Sequence, residues 1–466
     1  MSVIGLDLGT TRIKALLHDR FRDDHPVVAA PTPIIVSADG DLRDAEDVVR
    51  VAADCISGLV SALTDAERSR VEGVSIASLS EEMVLVGEDG LSIAAMPTWY
   101  ATVMRDESRR AGLNPSFSWS KLRWARERLG TDVAERVRGT TSLAGYVAAR
   151  FGAVAALSME FSHASRTGFF DVVRGRWDEE VFAASGWSAG ILPELVPSGT
   201  PLGGIAEERS VDWGIRADVA VAVAGHDHFC AAFAAGVRAP GQIFLSSGTS
   251  EAHVLLVDEI TGLELPEHVQ VGRFVDGRTF YLHGHLPSGH LHAHLEQLVG
   301  GRERLMELER EALGLPAGAN GLEFVPSVGA DPGYSVRGLS AHADAAAFIR
   351  AAQEGTAFAA RGIDDGLAAR VGAPTSLIVA TGAATANPLW TRIRSAVSTA
   401  PLEVTHEPEL TALGAAHVFR AVALGQDPEP VRRRRIESDA ADVDAYRRLY
   451  ADRSCNVDAA DIRGES

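Results

Sequence analysis

The amino-acid sequence predicts an α/β fold built from two similar halves, and three observations support this prediction. Short apolar runs alternate with longer segments of helical periodicity over most of the chain. A short apolar strand followed by Gly-Thr and another hydroxyl residue occurs twice, in Gly5–Thr11 and in Phe244–Ser250. The two Gly-Thr pairs begin at Gly9 and Gly248, 239 residues apart in a chain of 466 residues. Because that interval is close to half the chain, we expect two large domains of similar construction.

The first half of the sequence contains strands and helices in alternation. Ser2–Leu8 is an apolar strand interrupted by one acid, and Lys14–His18 returns from it, which predicts a hairpin around Gly9–Thr11. Asp44–Leu63 is predicted to be a helix because its apolar residues recur on one face. The other predicted elements of this half are the strands Val71–Ala77, Met83–Val86 and Ala217–Ala224 and the helix Glu179–Ser185.

The second half repeats the alternation and is followed by a polar tail. Its predicted elements are the strand Gln242–Leu245, the long Ala-rich helix Ala343–Leu367, the strand Ser376–Ala380 and the helix Pro388–Ser398. From Gln426 the chain is polar, and we expect its basic run Arg432–Arg435 on a solvated helix face. The predicted divisions are therefore residues 1–238, residues 239–425 and a C-terminal helical tail of residues 426–466.

Composition and charge exclude several classes of protein. The chain has 44 basic and 63 acidic residues and a net charge of −19, which disfavours nucleic acids and anionic membrane surfaces as partners. Its three cysteines are too few and too scattered for a disulfide scaffold or a CxxC metal site. Neither GxxxxGK[ST] nor GxGxxG occurs, which excludes a P-loop and the standard dinucleotide fingerprint. No signal peptide or membrane-spanning run is evident, so we expect a cytoplasmic protein without nucleic-acid or membrane partners.

The segment Gly5–Thr11 is the strongest candidate for a chemical role. Small residues in a hairpin let a phosphate approach the backbone, and the hydroxyls of Thr10 and Thr11 add donors. Asp7 leads into the turn, where its carboxylate can hold a water of a phosphate-bound Mg²⁺. An ordinary β-turn is the alternative interpretation of the same residues.

A second candidate is Asp227, which follows an apolar strand and the pair Gly225-His226. An acid at a strand end lies where α/β proteins build their sites, and Asp227 can accept a proton from an attacking hydroxyl. The alternative role is a helix N-cap, because Phe229–Val237 has helical character and Asp favours that position. Both roles are compatible with each other.

Two further turns of small residues lie in the second half. Ser247-Gly248-Thr249 is a second possible phosphate cradle. Ala380–Ala384 ends a predicted strand in small residues, so that a flat base can lie against the backbone before the helix that follows Asn387. Each segment is weak evidence alone, but the four segments in this order form a specific pattern.

Together these segments resemble the FGGY carbohydrate kinases, which belong to the actin/hexokinase/Hsp70 ATPase superfamily. Gly5–Thr11 resembles the family's first phosphate loop, and Gly225-His226-Asp227 resembles the segment that carries its catalytic Asp. Ser247-Gly248-Thr249 resembles the second phosphate loop, and Gly382–Trp390 resembles the adenosine-site motif GGGAxNPLW. The sequence resembles the family in three further segments, which are Ser116–Trp124, Ser162–Asp171 and Gly338–Gly355. The resemblance therefore covers roughly residues 3–425.

The resemblance implies ATP-dependent phosphorylation of a sugar or polyol hydroxyl in a cleft between two ribonuclease-H-like domains of the actin-like ATPase fold. Asp227 would be the general base, and Asp7 and Asp227 would hold Mg²⁺. The substrate-binding residues implied are Glu81, Trp99, His226 and Asp227. The implied nucleotide-binding residues are Gly9, Thr10, Thr11, Lys14, Gly248, Thr249, Gly289, Gly382, Ala383 and Asn387. ATP and Mg²⁺ are the expected cofactors, a small sugar or polyol is the expected partner, and a homodimer is a candidate assembly.

Departures from the family pattern leave the substrate open. Ser78–Met83 lies where xylulokinases have a motif resembling SGQMHG, and it lacks that pattern. Glu81 lies where glycerol kinases carry a substrate-binding Glu, but Ser80 replaces the Arg that precedes it there. The family's Trp is present as Trp99 without its WxDxR-like continuation, and Ala383 stands where the family often has Gly. We expect a kinase of a ketose such as a pentulose, with a polyol kinase or a non-catalytic sugar or nucleotide sensor as alternatives.

Two other patterns are expected to carry no chemistry. Gly186–Gly190 matches the hydrolase motif GxSxG, but a predicted helix precedes it, whereas that motif needs a strand before the Ser and a helix after it. Five histidines lie between His283 and His294, and His290 and His294 have the spacing of two metal ligands on one helix face. Because no Cys or HExxH motif accompanies them, solvated or core histidines are the favoured interpretation.

Overall fold

The computed structural model describes residues 1–22, 24–38, 40–248, 250–265, 269–286, 288–326, 333–341 and 343–454. Its strands are β1 (Ser2–Leu8), β2 (Arg12–Asp19), β3 (Val27–Pro31), β4 (Leu42–Arg43), β5 (Val71–Ser78), β6 (Met83–Val86), β7 (Met96–Pro97), β8 (Gly139–Ser142), β9 (Ser158–Glu160), β10 (Phe170–Asp171), β11 (Arg176–Trp177), β12 (Glu194–Val196), β13 (Pro201–Gly204), β14 (Ala220–His226), β15 (Gln242–Ser247), β16 (Glu251–Val257), β17 (Gln270–Arg273), β18 (Phe280–Leu286), β19 (Glu323–Pro326), β20 (Tyr334–Arg337), β21 (Leu377–Thr381), β22 (Leu402–Val404) and β23 (Arg434–Ile436). The α-helices are α1 (Ala45–Ser61), α2 (Asp65–Arg68), α3 (Arg105–Arg110), α4 (Ser118–Arg128), α5 (Gly130–Ala134), α6 (Leu143–Phe151), α7 (Phe161–Ala164), α8 (Glu179–Ala184), α9 (Glu207–Trp213), α10 (Asp227–Ala234), α11 (Ser288–Leu298), α12 (Arg302–Ala312), α13 (Ala345–Val371), α14 (Pro388–Val397), α15 (Leu410–Val422) and α16 (Ala440–Ser454). Short 3₁₀ turns occur at Ala189–Ile191, Ala319–Gly321 and Ala383–Ala386.

The first half is organised around a mixed sheet with the strand order β13-β14-β5-β1-β2-β3. β1, β2 and β3 form an antiparallel meander, and the predicted hairpin closes with a hydrogen bond from Gly9 N–H to the Arg12 carbonyl (3.2 Å). β5 runs parallel to β1, and β14 runs parallel to β5. The carboxyl ends of β1, β5 and β14 therefore lie along one edge of this sheet.

The second half repeats this arrangement in a sheet with the order β17-β18-β16-β15-β21-β22-β23. β15, β16 and β18 are consecutive antiparallel neighbours, and β21 and β22 continue the sheet in parallel with β15. β15 thus occupies the position that β1 has in the first sheet, and each of these two strands leads into a Gly-Thr pair in the sequence. The internal similarity suggested by the two pairs is a repeated sheet topology.

The chain beyond residue 425 is helical only in part. β23 pairs antiparallel with β22 and adds an edge strand to the second sheet, and α16 follows it. Arg434 and Arg435 lie on β23, so the expectation that the run Arg432–Arg435 occupies a helix face is wrong. The sequence of this run has no apolar periodicity of its own, and the neighbouring strand β22 supplies the backbone partners that make it a strand.

Helices α10 and α15 pack against each other and join the two sheets. α15 lies across β1 and β5, and the core around it combines residues of both halves, among them Leu16, Ala224, Phe244 and Val379. The two helices approach very closely, because a Cβ added at Gly414 would lie 2.0 Å from the Cys230 carbonyl oxygen. Only glycine allows that separation. The shared buried core holds the two sheets against each other.

Most predicted elements agree with the structure to within a few residues. Asp44 caps α1 by accepting a hydrogen bond from Glu46 N–H (2.9 Å), as an Asp before an amphipathic run should. The predicted strand Ala217–Ala224 is displaced, because β14 spans Ala220–His226 and α10 begins at once with Asp227. Among the described residues no helix is both long and apolar enough to cross a membrane.

Candidate active site

Three loop regions of the first half meet at the carboxyl edge of its sheet. Leu8 on β1 is opposite Ser78 on β5, and Ser78 is opposite His226 on β14. The turn after β1, Glu81 after β5 and Asp227 after β14 therefore lie side by side, although 220 residues separate Asp7 from Asp227 in the sequence. The strand-end positions of these candidate residues are confirmed by the sheet order.

Asp7 is a buried carboxylate that is incompletely satisfied. Its Oδ1 atom has no hydrogen-bond partner among the described residues. Burial, together with the nearby charge of Asp227, raises the pKa of Asp7 to about 8, although the cationic Lys14 acts in the opposite direction. Lys14 is itself paired with Glu409, just before α15, with 2.7 Å between Lys14 Nζ and Glu409 Oε2. The carboxyl groups of Asp7 and Asp227 thus act on each other at this sheet edge, and carboxylate oxygens suit a hard cation.

Asp227 is the first residue of α10, and its carboxylate is ionised. The N-cap position belongs to His226, so the alternative role of Asp227 as the cap is wrong. Asp227 Oδ1 accepts a hydrogen bond from His228 N–H (2.6 Å) and lies 2.5 Å from His226 Nδ1. Burial alone would raise the pKa of Asp227, but the two histidines outweigh it and hold the pKa well below its ordinary value. The carboxylate is therefore an acceptor for a donor brought to it, such as a hydroxyl.

Glu81 is buried in an ion pair with Arg166. The Nε and Nη2 atoms of Arg166 lie 2.8 Å and 2.5 Å from Glu81 Oε1, and Ser80 Oγ donates to Glu81 Oε2 (3.2 Å). Burial acts to raise the pKa of Glu81, but the guanidinium prevails and lowers it to about 2. Arg166 follows α7 and was not among the predicted site residues. It lies within the quoted segment Ser162–Asp171, but its partner is 85 residues away in the sequence and cannot be read from it.

Trp99 stands beside the turn after β1, which is the candidate first phosphate loop. Its indole Nε1 donates to Thr10 Oγ1 (3.1 Å), and its backbone N–H donates to Glu82 Oε1 (3.2 Å). Glu82 is in turn held by Arg43, with 2.6 Å between Arg43 Nε and Glu82 Oε2. Trp99 remains 38% exposed, so it offers an apolar surface at the side of the loop. A sugar's carbon face is a suitable partner for such a surface.

The second sheet presents an equivalent edge. Ser246 on β15 is opposite Thr381 on β21, so Ser247-Gly248 and Gly382 are neighbours. Gly382 has a φ of +104°, and a Cβ there would lie 2.0 Å from the Ser247 carbonyl oxygen. The turn after β21 therefore requires glycine, because both the positive φ and the close approach to Ser247 disfavour a side chain. Thr249, the third predicted residue of the second phosphate loop, lies outside the described residues.

A cavity of about 600 Å³ opens beside these turns. Gly248, Ala383 and Asn387 line it, which brings three predicted nucleotide-binding residues together. The Asn387 side chain caps α14 by accepting from Leu389 N–H (2.9 Å). Gly289 lies in the first turn of α11, the helix whose Leu291 also lines the cavity. The volume is typical of small-molecule and cofactor sites.

A buried charge network that the sequence did not reveal lies beside the turn after β15, which is the candidate second phosphate loop. Glu251 Oε2 lies 2.5 Å from Arg394 Nη2, and His253 Nδ1 lies 2.7 Å from Asp364 Oδ1. Burial acts to lower the pKa of His253, but the carboxylates Asp364 and Glu251 outweigh it and raise the pKa to about 9. Glu251 also lines the cavity, at the end of the hairpin that carries Gly248. Three elements, β16, α13 and α14, thus contribute four residues to a single ionic cluster, which sequence spacing does not encode.

The hydrolase-like match Gly186–Gly190 lacks the structural setting that its motif requires. Ser188 of the GxSxG match accepts a hydrogen bond from Gly190 N–H (3.3 Å) and caps a 3₁₀ turn after α8, so the strand–turn–helix setting is missing. Among the described residues no group of three or more His, Cys, Asp or Glu side chains is arranged to hold a metal ion. His294 is exposed on α11, and His283 and His285 lie on β18.

Comparison with known proteins covers both halves of the chain. Residues 2–234 match the model of the N-terminal domain of the FGGY family of carbohydrate kinases, and residues 244–423 match the model of its C-terminal domain. The chain is 23% identical over 439 residues to the xylulose kinase of Bacillus subtilis, covering 89% of this chain and 87% of that protein. It is 24% identical to the L-fuculokinase of Salmonella typhi, covering 93% and 94%. Among solved structures, the xylulose kinase of Rhodospirillum rubrum superposes with a TM-score of 0.89 at 22% identity, over 98% of each chain.

Proposed function

Because the chain belongs to the FGGY family of carbohydrate kinases, we propose that it transfers the γ-phosphoryl group of ATP to a hydroxyl of a ketose such as a pentulose. The family membership makes the protein an ATP-dependent sugar phosphotransferase, and the choice of a ketose is supported by relatives named as kinases of xylulose and apulose. One observation carries the proposal. The ionised Asp227 lies at the same sheet edge as Asp7, and the second sheet presents a nucleotide-sized cavity beside its equivalent turns.

In this proposal the two halves have different tasks. The first half, residues 1–238, binds the sugar through Glu81, Trp99 and His226, and the second half, residues 239–425, binds the nucleotide through Gly248, Ala383 and Asn387. Backbone and hydroxyl groups of Gly9, Thr10 and Thr11 bind phosphate from the opposite side. Such an arrangement aligns the acceptor hydroxyl with the phosphoryl group, and alignment accounts for much of the catalysis of this reaction.

Asp227 receives the proton of the attacking hydroxyl in this scheme. A carboxylate with a depressed pKa is a weak base, so its main contribution is to orient the hydroxyl by accepting its hydrogen bond. This is sufficient for a loose transition state, in which the proton leaves late. His226 and His228, which lower the pKa of Asp227, therefore keep it in the ionised form that orientation needs.

The carboxyl groups of Asp7 and Asp227 are suitable ligands for Mg²⁺. A buried carboxyl oxygen of Asp7 lacks a partner among the described residues, and burial together with the charge of Asp227 raises the pKa of Asp7. A bound divalent cation would ligate the free oxygen of Asp7 and would offset the repulsion between the two carboxylates, because carboxylate oxygens are its preferred protein ligands. When bound, Mg²⁺ neutralises charge on the phosphate groups, while the residues of this chain hold and orient it through Asp7 and Asp227.

A polyol kinase is the second candidate, and the Glu81–Arg166 pair favours it. The sequence has Ser80 where glycerol kinases carry an Arg before the substrate-binding Glu, but Arg166 places a guanidinium against the same carboxylate. The local charge pattern is thereby restored from another segment of the chain. Glycerol and tetritols are accordingly part of the test.

The test is a coupled ADP-release screen over ketoses, aldoses, polyols and sugar acids. We expect turnover with at least one ketose, and expect Asp227→Asn to lower kcat by about 10²–10⁴-fold while ATP binding stays nearly intact. Asp54→Asn on the exposed face of α1 is the matched control, since its side chain is 72% exposed, and it should leave kcat unchanged. Turnover with polyols alone supports the second candidate, and ATP binding without turnover on any acceptor supports a sensor. Unchanged turnover of Asp227→Asn rules out Asp227 as the base.

A further inference from the structure

One strand of the second half carries a row of polar side chains toward the candidate base. Tyr281, His283 and His285 alternate along β18 and so project from the same face of the sheet. Near the start of the row, the Tyr281 ring lies 4.0 Å from the Phe229 ring on α10. At the other end, Leu286 is opposite Glu251, next to the second phosphate loop. His283 lies between these two ends, at the middle of the row.

The hairpin of β17 and β18 is attached to the first half. Arg273 on β17 donates its backbone N–H to Ser165 Oγ (3.0 Å) and its Nε–H to the Val172 carbonyl (2.9 Å). Gly272 is packed so closely here that an added Cβ would lie 2.5 Å from Ser165 Cβ. The row on β18 is therefore held in a defined position beside the segment that contributes Arg166.

His283 faces the residue that follows the candidate base. Its ring centroid is 6.4 Å from that of His228, and His283 Nδ1 lies 3.0 Å from Gln270 Oε1. With the amide oxygen as acceptor, the proton of the imidazole is on Nδ1, and Nε2 carries a lone pair. Nε2 is buried and has no hydrogen-bond partner among the described residues. Burial, reinforced by the charge of Arg166, holds the pKa of His283 well below its ordinary value, which keeps the ring neutral.

One donor near His283 is also incompletely used. Arg166 donates from Nε and Nη2 to Glu81 and also interacts with the hydroxyl of Tyr281. Because a guanidinium only donates, the buried Tyr281 hydroxyl accepts from it and keeps its own hydrogen, which has no acceptor of standard geometry among the described residues. Native proteins leave few buried polar atoms unpaired, so the free Nε2 acceptor and this free donor on one strand indicate a ligand position. A ligand that both donates and accepts there has hydroxyl groups, because a carboxylate has no hydrogen to donate to Nε2.

We propose that His283 is a substrate-positioning residue contributed by the second half, whose Nε2 accepts a hydrogen bond from a sugar hydroxyl other than the one that is phosphorylated. The hydroxyl of Tyr281 donates to an oxygen of the same sugar. The inference rests on the proposed sugar kinase activity and extends it, because it makes the nucleotide-binding half a determinant of sugar specificity. It also assigns a role to a histidine whose cluster had no explanation in the sequence.

The test compares His283→Asn with His283→Gln in the full-length protein. Asn keeps a polar atom near the position of Nδ1 and removes the group at Nε2, whereas Gln places an amide oxygen near Nε2. We expect His283→Asn to lower kcat/KM for the preferred sugar by about 10–100-fold, with KM for ATP unchanged, and expect His283→Gln to stay within about threefold of the wild type. His294→Asn, exposed on α11, is the control and should change neither constant.

Singly deoxygenated analogues of the preferred sugar identify the hydroxyl. One analogue should be about 10–100-fold worse than the parent sugar for the wild type but equal to it for His283→Asn. The same comparison with His283→Gln, which should still discriminate, keeps the test decisive if the Asn variant fails to fold. Normal wild-type turnover without such coupling for any analogue, or a change confined to KM for ATP, overturns this inference alone. Absence of wild-type turnover on every sugar overturns the proposed function and this inference with it.

Discussion

Replacing Arg166 by methionine leaves the buried Glu81 carboxylate without its partner, and we expect this change to destabilise the protein by about 3 kcal/mol at pH 7. The pKa of Glu81 falls from an ordinary value of 4.5 to about 2 in the folded protein. A difference of one pKa unit corresponds to about 1.4 kcal/mol, so the folded surroundings of Glu81, in which burial is opposed chiefly by Arg166, favour its ionised form by about 3 kcal/mol. Glu81 is only 4% exposed, so solvent screening reduces this little. Removal of one partner of other buried pairs costs a similar amount, about 3–5 kcal/mol.

The same pair predicts a dependence of stability on pH. Because the pKa of Glu81 is lower in the folded than in the unfolded protein, its contribution is fully present above pH 4.5 and is lost as the pH falls toward 2. The wild type should therefore lose stability in this window more steeply than Arg166→Met. In the double variant Glu81→Gln, Arg166→Met no charge is left buried, so most of the lost stability should return.

Urea unfolding at pH 7 and at pH 4, followed by circular dichroism, measures these differences. Arg50→Met is the control, because Arg50 pairs with Asp47 on the exposed face of α1 with side chains 63% and 47% exposed. That exposed pair should contribute at most about 0.5 kcal/mol. The reasoning is refuted if Arg166→Met stays within about 1 kcal/mol of the wild type, or if the double variant is no more stable than the single one.

Four further changes test the candidate phosphate loops, the candidate cation ligand Asp7 and the indole of Trp99. Gly382→Ala should raise KM for ATP by at least about tenfold, because the new Cβ would lie 2.0 Å from the Ser247 carbonyl oxygen at a φ of +104°. Gly366→Ala is the control and should leave KM unchanged, because no atom lies within 4 Å of its Cβ position. Titrations of the rate with ATP measure both constants. The Mg²⁺ concentration for half-maximal rate should fall as the pH rises through about 8, because Mg²⁺ competes with the proton on Asp7, and a pH-independent requirement contradicts this. Lys14→Met removes a cation that lowers the pKa of Asp7, so that fall should move to higher pH in the same titration. Trp99→Phe keeps an aromatic ring but loses the hydrogen bond to Thr10, so we expect KM for the sugar to rise about two- to fivefold. An unchanged KM for the sugar contradicts the placement of the indole.

The strands, the turns and the strand-end residues of the site could be predicted from the sequence because their signals are local. Asp7 and Asp227 each stand at the end of an apolar run, and the parallel pairing of β1, β5 and β14 brings the two ends together. Gly382 could be recognised from its motif, although the reason that it must be glycine, the contact with Ser247, belongs to another strand. The expectation of a helix at Arg432–Arg435 is wrong because the structure of this run comes from pairing with β22.

By itself the sequence determined the α/β class, the repeat of two halves and the four motifs of the site, since periodicity and turn chemistry act over a few residues. Only the tertiary structure decided which charges neutralise one another and which side chains meet across the halves. Glu81 finds Arg166, Lys14 finds Glu409, and His283 faces His228 through contacts between distant segments. Such pairings depend on where folded elements cross, and the free energy of burying a charge is set by the partner found there.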